Sequence, residues 1–249
     1  MVDATQLAAP VVVSEDDELL VVDKPGGLVC HSASRNGQLS LVMWLRERGI
    51  GTPRMVNRLD RETSGLVIVA KNERAAKSLG KQVLRREIQK EYVAICWGEF
   101  DEDRGVVDQP IGLTKDSVVY TKRVVCEATG KPCVTEFAVE QRLKGSKFSS
   151  QGFAVVRLWP RTGRAHQLRV HMAWLGHPIV GDKMYGPDET LYLQFIKEGV
   201  TDVILARLLL PRHALHAERV AFRHPHTQQE CRYETPMPED MQQFIGGHS

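Results

Sequence analysis

The segment Asn57-Arg58-Leu59-Asp60-Arg61-Glu62-Thr63-Ser64-Gly65 sets one carboxylate between two arginines, in a turn rich in Thr, Ser and Gly, just before the apolar run Leu66 to Ala70. Neighbouring guanidinium groups favour the charged form of a carboxylate, so Asp60 is expected to stay ionised at neutral pH. An ionised aspartate suits a nucleophile or a base and does not suit a general acid. Taken alone, the segment reads equally as an Arg-Asp pair that stabilises a turn. A second segment, Arg161-Thr162-Gly163-Arg164-Ala165-His166-Gln167-Leu168-Arg169-Val170-His171, follows a predicted strand and runs into a predicted helix. It gathers Arg, His and Gln donors around a helix N-terminus, and such ends attract phosphate. Between the two, in Lys90-Glu91-Tyr92-Val93-Ala94, strand alternation puts Tyr92, Ala94 and Cys96 on one face. The Tyr92 ring there either stacks on a base or fills the core.

Other chemistries find no support in the chain. It contains no GxxxxGK[ST] phosphate loop, no GxGxxG before a helix, no HExxH and no CxxC pair. His213, His216, His224, His226 and Cys231 form the one plausible metal cluster, but their spacing fits no common zinc pattern. Ordinary surface and core histidines are the simpler reading, and no metal is expected.

The elements that must carry these residues follow from hydrophobic periodicity. Ala76, Leu79, Val83, Leu84 and Ile88 recur at helical spacing over 73 to 89, with Lys77, Lys81 and Arg85 on another, outward face. Shorter helices are predicted near 40 to 48 and 165 to 175. Strands are predicted at 18 to 22, 66 to 70, 91 to 97, 118 to 125, 133 to 139 and 153 to 159. Helices and strands do not alternate regularly, which argues for an α+β fold with a mixed or antiparallel sheet. The stretch from Gly145 to Gly152 reads as a hairpin tip, and residues 1 to 10 and 245 to 249 as loose ends.

The composition sets the class. The chain has 249 residues, 42% of them hydrophobic and 26% charged, and 33 Lys plus Arg against 31 Asp plus Glu leave a formal charge of only +2. That sum neither demands nor excludes a polyanionic partner. Its distribution is more informative: six Lys or Arg lie between Arg74 and Lys90, and five between Arg157 and Lys183 together with three His. Each tract alone reads as a solvated face, but two of them flanking the same motifs favour a polyanion. No apolar run approaches the roughly 18 residues needed to cross a bilayer. Five cysteines, an odd number without close pairing, and no leader-like N-terminus suit a reducing cytoplasm.

At these residues the sequence resembles the RluA-type family of RNA pseudouridine synthases, from about Glu18 to Pro238. Asp23-Lys24-Pro25-Gly26-Gly27 is similar to the family's DKPxG opening, residues 58 to 65 to its RLDxxTSG segment, and Lys90 with Tyr92 to its KxYxA element. Thr162 to Arg169, followed by Gly176, Pro178, Gly181-Asp182 and Tyr185-Gly186, resembles its TGRxHQxR and GxPxxGDxxYG blocks. Leu215-His216-Ala217 and His224-Pro225 match a pattern near its C-terminus. One departure stands out: the family usually has His before the RLD tripeptide, and this chain has Asn57, which cannot act as an acid or base near neutral pH. Many relatives also carry an N-terminal RNA-binding domain of the S4 type; with about 17 residues ahead of the start of the resemblance at Glu18, none is expected here.

The resemblance implies a mixed, largely antiparallel sheet with flanking helices around a basic cleft, as one catalytic domain over 18 to 244 between a short N-terminal segment and a loose tail. It implies an isomerase that breaks the N1 to C1′ bond of a uridine, turns the base and rejoins it through C5, without cofactor or metal. The partner is ribosomal or transfer RNA, and neither a membrane nor an obligatory protein partner is implied. Because a stacked base is out of reach, the target must be flipped. The resemblance makes Asp60 the essential carboxylate and Tyr92 the ring on the flipped base, with Arg169 or Arg164 pairing with Asp60. Arg58, Arg61, Thr63, Arg164, His166 and Gln167 become substrate-binding residues, Arg58 filling the vacated space. Attack on C1′ and removal of the C2′ proton both need an anion at position 60. A retaining glycosidase or nucleosidase would also use that carboxylate, but needs a second as acid, and Glu62 beside Arg61 has no evident means of raising its pKa. An RNA-binding module without catalysis is the alternative that Asn57 favours.

Overall fold

The computed structural model describes residues 8 to 31, 39 to 145 and 152 to 248, so most of the predicted hairpin tip at 145 to 152 lies outside the described residues. Its contacts divide the chain into two units, residues 3 to 90 with 216 to 236, and residues 91 to 215 with 237 to 249.

In the first unit, β1 (Val11–Glu15), β2 (Leu19–Lys24), β4 (Ser64–Ala70) and β11 (Leu215–Arg223) lie in that order, with β12 (Glu230–Glu234) on β11 and β3 (Arg54–Met55) on β4. All the pairs are antiparallel except β4 with β11, which run parallel at Ser64 and Gly65. The seven residues of β4 are all buried. Leu66, Ile68 and Ala70 point from one face of it into a core with Leu19, Val21, Val220 and Phe222. The helix α2 (Glu73–Leu84) closes that core with Ala75 and Leu79. Its N-cap is Asn72, whose side chain accepts from the Ala75 N–H at 2.9 Å. The periodicity predicts a helix to residue 89, yet α2 ends at Leu84, which is 84% exposed, and Val83 is also exposed. The buried stripe runs through Gln82 instead, because its amide donates to the Arg223 carbonyl and accepts from the Arg223 N–H at 2.8 and 2.9 Å. Arg86 then turns left-handed at φ 59° and sends Ile88 back into the core. Lys77, Lys81 and Arg85 are exposed as expected, Lys77 in an i,i+4 pair with Glu73 at 2.7 Å. The short helix α1 (Leu41–Glu47) matches its prediction near 40 to 48.

In the second unit, β5 (Gln89–Trp97), β10 (Phe153–Pro160), β9 (Val134–Leu143) and β6 (Arg104–Asp108) form an antiparallel array in that order, and β7 (Ile111–Leu113) pairs with β8 (Arg123–Val125) as a separate ribbon. The strand predicted over 118 to 125 survives only as β8. Residues 114 to 122 form a loop because the Glu189 carboxylate, some 70 residues later in the chain, takes up its Ser117, Val118 and Lys122 groups. Tertiary contacts override strand propensity here. The helix α3 (Gln167–Trp174) packs Val170 on Ile111, Met184 and Tyr185, while α4 (Thr190–Glu198) and α5 (Asp202–Leu208) share Leu191, Phe195, Ile204 and Leu208. Residues 245 and 246, expected in a loose tail, continue α6 (Glu239–Gly246), and His248 stacks on Phe244 with ring centroids 4.2 Å apart. Among the described residues these are mixed, largely antiparallel sheets with six flanking helices, an α+β arrangement. Among the described residues no helix is long and apolar enough to cross a membrane.

Candidate active site

The turn that carries Asp60 is held from behind, by backbone and by one buried cation. Lys24, fully buried at the end of β2, donates from Nζ to the carbonyls of Pro25 and Leu28 at 2.8 Å each and of Arg61 at 3.2 Å. Burial of an ammonium is tolerable only when its donors are used, and here three carbonyl dipoles receive them. The Arg61 carbonyl also accepts from the Gly27 N–H at 2.8 Å, while Arg61 Nε donates back to the Gly27 carbonyl at 3.2 Å. The Asp-Lys-Pro-Gly-Gly turn and the Arg-Leu-Asp-Arg turn are therefore zipped together. On the other side Leu59, itself buried, exchanges contacts with Cys30: its N–H donates to Sγ and its carbonyl accepts from it, both at 3.5 Å. Burial raises the Cys30 thiol above its usual pKa, and Lys24, Arg58 and Asp60 are all near enough to act on it electrostatically. Asp60 stands half-buried, Arg58 exposed, Arg61 half-buried and Thr63 buried.

The strand after the turn explains the Thr-Ser-Gly sequence. A Cβ at Gly65 would sit 2.3 Å from the Ala217 carbonyl oxygen, and its φ is 111°, so only glycine allows β11 to approach. Ser64 Oγ meets His216 Nδ1 at 2.9 Å, and His216 Nε2 reaches the Thr235 carbonyl at 3.4 Å. His224 meets Asp16 at 2.8 Å, so two members of the weighed metal cluster have other engagements.

Asn57 has a use that the sequence does not disclose. On one edge of β4, β11 covers Ser64 and Gly65 and β3 covers Val69 and Ala70. Between them, Asn57 Nδ2 donates to the Leu66 carbonyl at 3.0 Å and Oδ1 accepts from the Ile68 N–H at 2.8 Å, and the Val56 N–H donates to the Ile68 carbonyl at 2.8 Å. The side-chain amide stands in for a strand, satisfying a buried ladder where the backbone leaves to form the Asp60 turn.

In the other unit, Gln167 builds the turn before α3. Its Oε1 accepts from the Arg164 N–H at 3.0 Å and from Thr162 Oγ1 at 2.8 Å, and Nε2 donates to the Val134 carbonyl at 2.8 Å and to Thr135 Oγ1 at 3.0 Å. Four bonds from one buried amide fold the chain back and leave Gly163, Arg164 and Ala165 exposed. Arg164 Nε reaches the Pro132 carbonyl at 3.3 Å. His166, at the N-cap of α3, is left-handed with φ 59°, a conformation costing a non-glycine residue about 1 kcal/mol or more. Its Nδ1 meets the Tyr185 hydroxyl at 2.8 Å.

One turn into α3, Arg169 is buried. Its Nε and one terminal nitrogen donate to the two carboxylate oxygens of Asp182 at 2.6 and 2.9 Å, and the guanidinium lies 4.9 Å from the centre of the Tyr185 ring. Asp182 also accepts the N–H groups of Met184 and Tyr185 at 3.0 Å each. Burial pushes the Asp182 carboxyl up, but Arg169 and these donors outweigh it and hold it well below the ordinary range. Gly181 and Gly186 permit the tight turn, since a Cβ on them would strike the carbonyls of Arg212 and Asp182 at 1.9 and 2.3 Å. Tyr92 is 8% exposed on β5, on the same face as the buried Ala94 and Cys96. Burial alone lowers the pKa of Lys90, at the start of that strand.

Asp60, Arg58, Arg61 and Thr63 thus belong to one unit, and Tyr92, Arg164, His166, Gln167 and Arg169 to the other. Sequence reasoning missed Lys24 as the cage behind the turn, Asn57 as its clamp and Asp182 as the carboxylate on Arg169. The first and last sit inside quoted motif blocks, which was the available signal.

Comparison with known proteins gives one family. A family model described as RNA pseudouridylate synthase matches residues 18 to 174. The dual-specificity RNA pseudouridine synthase RluA of Escherichia coli is 38% identical over 215 residues, covering 86% of this chain and 87% of that protein. The ribosomal large subunit pseudouridine synthase D of Nitrosomonas europaea is 34% identical over 238 residues, covering 92% of this chain and 62% of that protein. Among solved structures, human RNA pseudouridylate synthase domain containing 1 superposes with a TM-score of 0.70 at 26% identity, over 96% of this chain and 94% of that one.

Proposed function

Because the chain belongs to the RNA pseudouridylate synthase family, isomerases that convert uridine to pseudouridine in RNA, we propose that it modifies a specific uridine in a structured ribosomal or transfer RNA stem-loop, in the cytoplasm, with Asp60 as the essential carboxylate. The reaction breaks N1–C1′, forms C5–C1′, and moves the C5 proton's place to N1, so the strand keeps its mass. The uridine is flipped from its stack, Arg58 takes the vacated space and Tyr92 stacks on the flipped base. Arg169 or Arg164 pairs with Asp60. Arg61, Thr63, Arg164 and His166 bind the flanking RNA, and Gln167 serves it through the turn it folds.

What supports this reading most is how the Asp60 turn is built. Lys24, Gly27 and Arg61 fix its backbone, Asn57 fixes its entry, and Asp60 is half-buried. A fixed backbone behind a half-buried aspartate suits a group that must meet one atom of a flipped nucleotide. The test is to incubate the protein with total RNA from cells lacking it. Pseudouridine should rise with no free uracil released. Uracil release would mark a hydrolase.

A further inference from the structure

The loop from Thr114 to Lys122, between β7 and β8, displays an aromatic ring on a fixed backbone. Its interior peg is Val119, 3% exposed and packed with Ile111, Val170, Met184 and Tyr185. Around the peg Glu189 acts as a staple: one carboxylate oxygen accepts from Ser117 Oγ at 2.8 Å and Lys122 Nζ at 2.7 Å, and the other accepts from the Val118 N–H at 3.3 Å. Lys122 above all keeps the Glu189 carboxyl below its usual pKa, so the staple is an anion at neutral pH. The neighbours of the peg face water: Val118 is 60% exposed and Tyr120 is 90% exposed, with Leu113 at 55% where β7 enters the loop.

The same loop is tied to the turn before α3. The Arg123 N–H, at the start of β8, donates to the Tyr185 hydroxyl at 3.1 Å, and that hydroxyl meets His166. Arg164 reaches the Pro132 carbonyl, next to Lys131, whose backbone bridges Ile111 of β7. Lys115, Lys131 and Arg164 are exposed. An almost fully exposed tyrosine and three exposed cations thus belong to one hydrogen-bonded framework in a single unit.

We propose that Tyr120 is a stacking platform for an unpaired nucleotide of the RNA substrate, with Lys115, Lys131 and Arg164 on the neighbouring phosphates. This rests on the function proposed above and adds to it a subsite away from the target uridine. Unpaired bases stack on aromatic faces, and basic residues beside the ring follow the backbone. A protein partner would call for a contiguous apolar patch with charge excluded from its centre, whereas Lys115, Asp116 and Thr121 interrupt this one. The staple matters because a ring on a fixed loop loses less entropy when it stacks than one on a floppy loop.

The test measures pseudouridine formation in total RNA from cells lacking the protein, for the wild type, Tyr120→Ala and Tyr120→Phe. Loss of one base-aromatic stack should raise the apparent KM of Tyr120→Ala about tenfold with kcat within about twofold, and Tyr120→Phe should restore KM to within about twofold. Ultraviolet irradiation of the wild type with the same RNA should leave a nucleotide mass on the Tyr120 peptide. An unchanged KM in Tyr120→Ala, a Tyr120→Phe as weak as Tyr120→Ala, or a peptide without adduct overturns the stacking platform. Failure of the wild type to form pseudouridine overturns the proposed function instead, and the adduct then decides by itself whether Tyr120 meets RNA.

Discussion

The Asp60 turn and the Arg169 pocket each hold a charged group, and the contacts that shape them differ. Around Asp60, the backbone of the turn is fixed by contacts of Lys24, Gly27, Leu59 and Arg61, and the aspartate is half-buried. Around Arg169, the charged group is itself part of the fixing: a buried bidentate pair with Asp182 that also collects two backbone N–H groups. The difference teaches where each substitution should be felt. Removing the charge at Asp60 leaves the contacts of Lys24, Gly27, Leu59 and Arg61 in place, whereas removing the Asp182 carboxylate breaks a buried bidentate pair.

The largest effect should come from Asp182→Ala. Loss of the carboxylate leaves the buried Arg169 guanidinium without its bidentate counter-charge and two N–H groups without their acceptor, so unfolding free energy should fall by about 3 to 5 kcal/mol. Chemical denaturation at neutral pH measures it. A loss below about 1 kcal/mol would erase the distinction between the two regions.

Asn57 gives a smaller effect, at the boundary between support and chemistry. Asn57→Ala removes a donor and an acceptor from the β4 ladder, and stability should fall by about 1 to 3 kcal/mol. Asn57→His restores the residue usual in the family, yet one rigid ring cannot reproduce both amide bonds in place, so it too should destabilise. Its turnover should change by less than about tenfold, because the side chain faces β4 and not the carboxylate. A rise of several hundredfold would make Asn57 a lesion in the chemistry and not a clamp.

The smallest effect is a dependence on pH that belongs to the Arg169 region. His171, fully buried on α3, shares Nδ1 with Thr135 Oγ1 at 2.9 Å and donates from Nε2 to the Gln109 carbonyl at 3.0 Å. Burial holds its pKa below the ordinary histidine value. The neutral ring is therefore the folded form: stability is complete above about pH 6.5 and is lost as pH falls, because only the unfolded chain then takes up the proton. The slope should not exceed about 1.4 kcal/mol per pH unit, and His171→Gln should flatten it. An equal slope in that variant would assign the acid sensitivity elsewhere.

Much of this was legible in the sequence, for physical reasons that differ by residue. Asp60 between two arginines announces itself by composition, and β4 by a continuous apolar run. The end of α2 was not legible, because a buried glutamine replaces leucine in its stripe and its partner is the backbone at Arg223. Nor was the loop at 114 to 122, whose β-branched residues suggest a strand until Glu189 is brought to them. The pairing of Arg169 with Asp182 spans 13 residues and depends on a glycine-permitted turn, so charge alone did not announce it. Side chains that act as strands or cages, such as Asn57 and Lys24, carry no periodic signal at all.

Asp60→Asn tests the central claim most directly. The substitution keeps the volume and some hydrogen bonding but removes the charge and the nucleophilic or basic oxygen, while the contacts of Lys24, Gly27, Leu59 and Arg61 with the turn remain. Wild type and variant are incubated with total RNA from cells lacking the protein, and pseudouridine content, RNA retention and thermal stability are read separately. The variant should fold and retain RNA, since phosphate contacts supply most of the affinity, and its pseudouridine formation should fall below detection. Wild-type pseudouridine formation by a folded Asp60→Asn would contradict the account.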